Sequence, residues 1–416
     1  MASLVVSPFN PQFAIRNPQL SLTLAPRPRP FKKLVPRLAV DANAQVWFHP
    51  GMATPDKTGG GPIPEGRRPR RRPRYAGTHP KRPDERYKEL RPEAYPELIE
   101  HLRAKGKTPA GTHVPVLVRE VMECLRPAPG EAVADCTMGY GGHALEFMQR
   151  IGPTGRLIGF DIDGAALERA RPRLAAAGVP FSLYRSNFAG IGNVLAAEGL
   201  DGYDIVFADL GVSSMQVDDP ERGFSYKHDG PLDMRMDDRA RRTAADLLAS
   251  LSVDDLSAAL RDLADEPDHE RIARAVAERR RRGKIARTAE LARLIFDVKG
   301  LTRREWREQA AADPGVLHPA ARTFQALRML VNDEPARLKH LLRIAPTCLR
   351  PGGRLGIVSF HGGEDRLVKL ALREGLEVDV YDAASDEVIR PGPEELRANP
   401  RSASAKFRWA RKARGS

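Results

Sequence analysis

The chain has 416 residues, of which 41% are hydrophobic, and carries a formal net charge of +13. This length accommodates one large domain with an inserted or flanking piece, and no apolar run reaches the roughly 20 residues that a membrane span needs. The cysteines at 124, 136 and 348 form no C-x-x-C pair, which favours a reducing compartment and argues against a structural zinc site. We therefore expect a soluble globular protein without a membrane or metal requirement.

The positive charge is concentrated at the N-terminal end. Residues 1–110 hold 21 Lys and Arg against 9 Asp and Glu, whereas the remaining residues hold 46 against 45. The part of the chain with folding potential is thus almost neutral. The overall charge is poor support for RNA binding by that part.

The N-terminal 110 residues divide into two segments. Residues 1–40 contain no acid, six basic residues and several Ser and Pro, a composition typical of an organelle transit peptide. It favours import into the chloroplast stroma over the mitochondrial matrix; the alternative is an ordinary disordered tail. Residues 41–110 are rich in Gly, Pro and Arg, with an arginine run over 67–74, and predict a disordered basic arm. This arm either binds RNA phosphates or serves as a solubilising linker.

From about residue 111, alternating strand and helix patterns predict an α/β fold with a mostly parallel sheet that is covered on both faces. The strands are predicted at 131–136, 156–161, 181–186, 203–210, 354–360 and 376–382. The helices are predicted near 116–125, 142–150, 163–176, 189–199, 321–349 and 363–373. The sheet domain would thus consist of residues 111–217 and 321–416.

The segment 218–320 interrupts this alternation. Its leucines follow helical spacing and no segment resembles a strand, so we predict an all-helical insertion between the fourth and fifth strands. The arginine run 279–282 is typical of a solvated helix face; the alternative is a contact with RNA phosphates.

The most informative segment is DCTMGYGGHALEFMQRIGPTGRLIGFD at 135–161. An apolar run ends in Asp135 and is followed by Gly139, Gly141 and Gly142, then by a helical stretch and a second apolar run that ends in Asp161. This is the order of a nucleotide-binding βαβ unit, in which glycines let a ligand approach the backbone and the second acid binds ribose hydroxyls.

The spacing of this turn argues against a dinucleotide. The G-x-G-x-x-G spacing that seats a pyrophosphate on a helix N-terminus is absent, and an acid precedes the turn. An acid is unfavourable beside a pyrophosphate but favourable beside the cationic methionine end of S-adenosylmethionine. The turn therefore favours a methyltransferase.

Three further segments follow predicted strands, so their polar side chains should meet at one edge of the sheet. They are DLGVSSMQ (209–216), RGFS with DGPLDMRMD (222–237), and SFHGGEDR (359–366). Phe224 could stack on a base. Ordinary structural roles are the alternative: Ser213 or Ser225 as a helix cap, Asp365 paired with Arg366, and His361 hydrogen-bonded in a crevice.

Taken together, these motifs resemble the RsmH/MraW family of S-adenosylmethionine-dependent methyltransferases, which modify N4 of a cytidine in 16S ribosomal RNA. The resemblance covers about residues 113–410. It is carried by HVPVLVREV (113–121), DCTMGYGGHA (135–144), DLGVSSMQVDDPERGFSYKHDGPLDMRMD (209–237), HPAARTFQALRMLVN (318–332), GGRLGIVSFHGGEDRLVK (352–369) and NPRSASAKFR (399–408).

The resemblance implies a Rossmann-like class I methyltransferase sheet with a helical insertion, S-adenosylmethionine as the cofactor, and small-subunit ribosomal RNA or an assembling 30S-type subunit as the partner. It implies cofactor contacts at Gly141, Gly142, His143, Asp161, Phe188, Asp209 and Gln216. The chain departs from the family pattern at Ala144, where Ser is usual, at Gly362-Gly363, where Ser-Leu is usual, and at Ala403, where Arg is common. The glycine pair concerns the positioning of the substrate more than the binding of the cofactor.

A cytosine amine is a poor nucleophile, because its lone pair is delocalised into the ring, and must be oriented or deprotonated. Our candidates are Asp209 and, as second choices, Asp233 and His361. Two alternatives remain open: a methyltransferase of the same fold that acts on another RNA or on DNA, and a non-catalytic ribosome-assembly factor. The sequence leaves the oligomeric state open.

Overall fold

The computed structural model describes residues 115–313 and 315–415. The predicted transit peptide (1–40) and basic arm (41–110) lie outside these residues and stay predictions. No helix of the described ranges is long and apolar enough to cross a membrane.

A seven-stranded sheet has the order β3-β2-β1-β4-β5-β7-β6. Its strands are β1 Ala132–Asp135, β2 Arg156–Asp161, β3 Phe181–Arg185, β4 Tyr203–Asp209, β5 Leu349–Ser359, β6 Tyr381–Ala384 and β7 Lys406–Lys412. The first five strands are parallel to one another, and β7 runs antiparallel between β5 and β6. The strand order reverses between β1 and β4, which is where open α/β sheets bind ligands.

Six helices of eight or more residues cover the two faces of the sheet. They are α1 Val118–Leu125, α2 Gly142–Ile151, α3 Gly164–Ala175, α4 Ile191–Glu198, α12 Glu334–Cys348 and α13 Gly362–Glu377. The first three pack on one face, and α4, α12 and α13 pack on the other. The central strands are apolar on both faces because both faces are buried, as in other parallel sheets.

The remaining helices are α5 Ser214–Asp218, α6 Ala244–Ser250, α7 Val253–Ala264, α8 His269–Arg280, α9 Thr288–Lys299, α10 Arg303–Ala312, α11 Ala321–Asn332 and α14 Pro393–Ala398. Helices α6 to α9 and α11 enclose a separate apolar core. Side-chain caps begin several of these helices: Thr243 at α6, Ser252 at α7 and Thr302 at α10. The predicted fold, a class I sheet with an all-helical insertion, is confirmed.

Several predicted elements differ in detail. The predicted helix 321–349 is two helices, because Asp333 adopts a left-handed φ of 51° and turns the chain between α11 and α12. Packing places α11 in the insertion core, although the predicted boundary assigned it to the sheet domain. The predicted strand 376–382 begins only at Tyr381, since α13 continues to Glu377, and β7 was not predicted.

Candidate functional site

A cavity opens at the carboxyl ends of β1, β2 and β4, at the reversal of strand order. The loops after all five parallel strands line it, together with Met236 of the insertion and the start of α12. Six of the residues predicted for the cofactor lie in this lining: Gly142, His143, Asp161, Phe188, Asp209 and Gln216. Gly141, the seventh, caps α2 directly beside them.

The glycine turn after β1 is fixed against the end of β2. Gly139 and Gly141 have φ values of 48° and 78°, a region that glycine adopts without a Cβ penalty. The Gly139 N–H donates to Asp161 Oδ2 at 2.7 Å, and the Asp163 N–H donates to Oδ1 at 2.8 Å. Each oxygen of Asp161 keeps a second lone pair, so this carboxylate can still accept hydrogen bonds from a ligand.

The floor of the cavity contains three carboxyls without an arginine or lysine partner within the described part of the chain: Asp135, which is buried, and Asp161 and Asp209, which are largely buried. Burial raises the pKa of Asp135 to about 7 and that of Asp161 to about 6, although backbone N–H donors oppose the shift at both. A site with this composition favours a positively charged ligand, since a cation would offset the cost of ionising these groups.

Asp209 ends β4 beside the start of α2. Its N–H donates to Thr137 Oγ1 at 2.6 Å, its Oδ2 lies 3.6 Å from His143 Nδ1, and its buried Oδ1 has no hydrogen-bond partner among the described residues. Burial, reinforced by Asp135 and Glu364, raises the pKa of Asp209 well above its ordinary value. An unsatisfied buried acceptor in a cavity wall indicates a missing donor.

His143 is held on its other side by the Val116 carbonyl, which lies 2.9 Å from Nε2. Because a carbonyl only accepts, Nε2 carries a hydrogen, and a neutral ring then turns the lone pair of Nδ1 toward Asp209. A lone pair facing a carboxylate is unfavourable, so this 3.6 Å contact is favourable only when one of the two groups carries a proton.

The side chain of Gln216 is mostly engaged within the protein. Its Oε1 accepts from the Ser213 N–H at 3.0 Å, and its Nε2 donates to Asp163 at 3.0 Å, which leaves one N–H for a ligand. Ser213 caps α5, as the structural alternative predicted. Arg222 also binds Asp163, at 2.9 Å, and so joins the insertion to the β2 loop. Gln216 and Arg222 lower the pKa of Asp163 against the opposing effect of its burial.

The corner between α11 and α12 supplies a wall of the cavity that sequence reasoning missed. Asn332 accepts from the Met236 N–H at 2.8 Å and donates to the Met234 carbonyl at 2.8 Å, which fixes the insertion loop at the cavity. Glu334 and Arg337 line the same wall. The break in the helix at Asp333 does have a local signal, since Pro335 lies in the first turn of α12, where proline favours a helix start.

Two predicted catalytic residues lie outside the lining. Asp233 forms a two-pronged ion pair with Arg235, with both N–O distances 2.7 Å, and this pairing lowers its pKa against the effect of burial. His361 caps α13 through Nδ1 and lies 3.1 Å from Glu364, which does line the cavity. The structure therefore brings Asp209, and neither of the second choices, to the cavity surface.

Three smaller expectations are corrected by packing. Phe224 is 8% exposed in the insertion core, under the Arg222 guanidinium, and is not available to stack on a base. Asp365 pairs with Arg408 of β7, rather than with Arg366. Of the arginine run, Arg279 pairs with Glu290, and Arg280 donates to two carbonyls at the end of α6.

No group of three or more potential metal ligands occurs in the described ranges. The donor set is instead one for an organic cation: carboxyls at the floor, glycine backbone at one side and the ring of Phe188 at the end of β3.

Comparison with known proteins identifies the family of the chain. Residues 110–413 match the MraW methylase family. "Ribosomal RNA small subunit methyltransferase H 1" of Lachnoclostridium phytofermentans is 42% identical over 348 residues, which are 83% of this chain and 93% of that protein. The protein of the same name from Agathobacter rectalis is 40% identical over 345 residues, which are 82% of this chain and 97% of that protein.

Among solved structures, a putative rRNA-methylase from Clostridium thermocellum matches with a TM-score of 0.35 and 11% identity, over 73% of this chain and 98% of that chain. The family match spans most of the chain and includes both the cavity and the insertion. The chain belongs to the MraW methylase family, as its motifs predicted.

Proposed function

We propose that the protein transfers a methyl group from S-adenosylmethionine to the N4 amine of a cytidine in small-subunit ribosomal RNA. The observation that carries this proposal is Asp209 Oδ1, a buried acceptor in the cavity wall that lacks a donor among the described residues. The N4 amine of cytosine is a donor and supplies the missing partner. The names of the relatives support the same class of substrate.

The residues of the cavity fit the proposed cofactor. When bound, S-adenosylmethionine supplies an electrophilic methyl group on a positively charged sulfur. Asp161 would hold the ribose hydroxyls, Phe188 offers an apolar face for the adenine, and the carboxyls of Asp135 and Asp209 balance the positive charges of the ligand.

Asp209 would perform the chemistry on the amine. By accepting one N–H, it turns the nitrogen lone pair away from the ring and toward the methyl group. The nitrogen–carbon bond would form as the methyl–sulfur bond breaks, which leaves a neutral thioether, and the proton that the amine loses would pass to Asp209. A base whose pKa lies near the working pH is suited to this step, and burial moves the pKa of Asp209 in that direction.

The test is methylation of small-subunit ribosomal RNA by the purified protein with S-adenosylmethionine labelled on the methyl carbon, read by mass spectrometry of nucleosides. Labelled N4-methylcytidine at one position supports the proposal. Label only in another RNA or in DNA would assign a different substrate to the same fold. Cofactor binding without transfer to any nucleic acid would favour an assembly factor that has lost turnover.

We further propose that the protein acts in the chloroplast, on the composition of residues 1–40 alone. Ribosomal RNA from plastids and mitochondria would be compared with and without the protein. Loss of one N4-methylcytidine in plastid RNA supports this location, and loss only in mitochondrial RNA would overturn it.

A further inference from the structure

We propose that Arg241 and Arg242 form a phosphate-binding rim at the cavity, which holds the RNA backbone beside the target nucleotide. This inference rests on the proposed function and specifies how the protein binds its RNA substrate. Both arginines are exposed, and neither makes an ion pair or a side-chain hydrogen bond with any residue in the described ranges.

The loop 237–242 lies beside the cavity. It directly follows Met236, which lines the cavity, and Arg185 ties it to the end of β3 through ion pairs with Asp237 and Asp238. Ser186, the residue after Arg185, is also part of the lining. The loop is therefore fixed to two segments of the cavity wall.

The other charged side chains of this loop, and those of the turn just before it, already form ion pairs. Asp233 pairs with Arg235, Asp237 with Arg239, and Asp238 with Arg185. Arg241 and Arg242 are left as uncompensated positive charge, which is the electrostatic signature of a phosphate contact.

The backbone that carries the two arginines is ordered before any ligand binds. Arg235 donates to the Ala240 carbonyl at 2.8 Å, and the Ala240 N–H donates to the Asp237 carbonyl at 3.0 Å. On the other side, Thr243 begins α6 with a reciprocal capping box. With fixed points on both sides, little further order has to be imposed when a phosphate binds.

A positively charged rim would also offset the repulsion between the acidic cavity and the phosphates of RNA. Its floor carries Asp135, Asp161 and Asp209, and its walls add Glu334 and Glu364. These groups attract a cationic cofactor but repel the phosphates of an RNA strand. Arginines outside the acidic floor hold the phosphates while a single base enters.

The experiment compares Arg241→Ala/Arg242→Ala with Arg281→Ala/Arg282→Ala. The control removes an equally spaced, exposed arginine pair after α8, and no residue of α8 lines the cavity. The KM for a small-subunit ribosomal RNA fragment, its dependence on salt, kcat and the Kd for S-adenosylmethionine would be measured for each protein. Thermal melting would verify that both variants fold.

For the rim variant, we expect the KM for RNA to rise roughly tenfold, while kcat and the cofactor Kd stay within about twofold. The slope of log KM against log salt should fall by about 1.4, because two phosphate contacts to a single strand are lost. Arg241→Lys/Arg242→Lys should restore most of the slope, since lysine keeps the charge. The control should change the KM by less than about twofold.

An unchanged KM in the rim variant, or an equal loss in the control, would overturn the inference. Should the wild-type protein prove inactive, the proposed function fails separately, and fluorescence anisotropy of the same RNA without cofactor still tests the rim. In that assay, equal affinity of the wild-type protein and the rim variant would overturn it.

Discussion

The cavity floor and the helical insertion place acidic residues in contrasting surroundings. In the floor, Asp135, which is buried, and Asp161, which is largely buried, have no basic partner in the described part of the chain, so burial raises their pKa. In the insertion loop, Asp233 and Asp237 each face an arginine at 2.7–2.8 Å, and the pKa of each is lowered. The unpaired acids of the floor favour the binding of a cation, whereas the paired acids of the insertion loop fix the conformation of that loop.

The strongest test of this contrast compares Asp209 with Asp233. Asp209→Asn should lower kcat by about 10²- to 10⁴-fold, because it removes a positioned acceptor and base. Asp233→Asn should leave kcat within about tenfold of wild type and mainly lower the melting temperature, since its carboxylate is bound to Arg235. Single-turnover rates and calorimetric melting would be measured for both. Wild-type turnover in Asp209→Asn would refute a catalytic role.

A second test asks whether His143 sets the protonation of Asp209. His143→Gln keeps a donor for the Val116 carbonyl but removes the ring nitrogen that lies 3.6 Å from Asp209. We expect kcat to fall by about 10- to 100-fold, as for a misplaced catalytic group, and its pH profile to shift. His143→Asn, which places an amide nearer the Nδ1 position, is the companion variant. If the pH profile of kcat is unshifted in both variants, His143 does not set the protonation of Asp209.

The third test uses pH. The pKa of Asp135 is about 7 and that of Asp161 about 6, both raised by burial, against an unfolded value of about 3.9. A bound cation lowers these pKa values and releases protons, so the affinity for S-adenosylmethionine should rise from about pH 5 to 7 and then level off. The gain is at most roughly tenfold per pH unit for each carboxyl that loses its proton on binding. Calorimetry in buffers of different ionisation heat would count the protons released.

Two comparisons sharpen the third test. S-adenosylhomocysteine, whose sulfur is neutral, should show a shallower pH dependence, and Asp135→Asn should flatten that of S-adenosylmethionine. The unliganded protein should lose stability over the same window, because raised pKa values mean that the folded state binds more protons than the unfolded chain as pH rises from about 4 to 7. A pH-independent affinity for S-adenosylmethionine would contradict the assignment of the acids to cofactor binding.

The smallest effect belongs to the surface of the insertion. Arg304 and Glu308 form an i,i+4 ion pair on α10, and both are largely exposed. Glu308→Gln should shift the melting temperature by less than about 1 °C, because exposed pairs contribute little and are screened by salt. A shift of several degrees would mean that surface ion pairs contribute substantially to the stability of the insertion.

The sequence was sufficient for the parallel half of the sheet. Buried strands such as β2 and β4 are continuous apolar runs, and their bounds differ from the predicted ones by at most one residue. β7 was missed because its basic residues hide the pattern: Arg408, although it lies in a strand, is 6% exposed and neutralised by Asp365. When a buried charge is neutralised by a residue that is distant in the sequence, the neighbouring residues give no indication that the segment is a buried strand.

The site shows the same limit. Glycine turns and strand-end acids are local features, so Gly142, Asp161 and Asp209 were found. Glu334 and Arg337 reach the cavity because the chain turns at Asp333. Pro335 marks the start of α12 locally, but the predicted helix 321–349 continued through it. Asp233 lies outside the cavity lining, and its carboxylate is bound by Arg235, only two residues away.

The position of β7 has a consequence for how this protein is made. β5 finds its neighbour on one side only when residues 406–412 are available, and among the described strands β6 pairs with β7 alone. On the ribosome, the strands from β1 to β4 and the insertion emerge first, whereas the sheet stays open beyond β5 until this late segment leaves the exit tunnel. During that interval β5 has an unpaired edge, which exposes backbone N–H and C=O groups to pairing with another chain until β7 is in place.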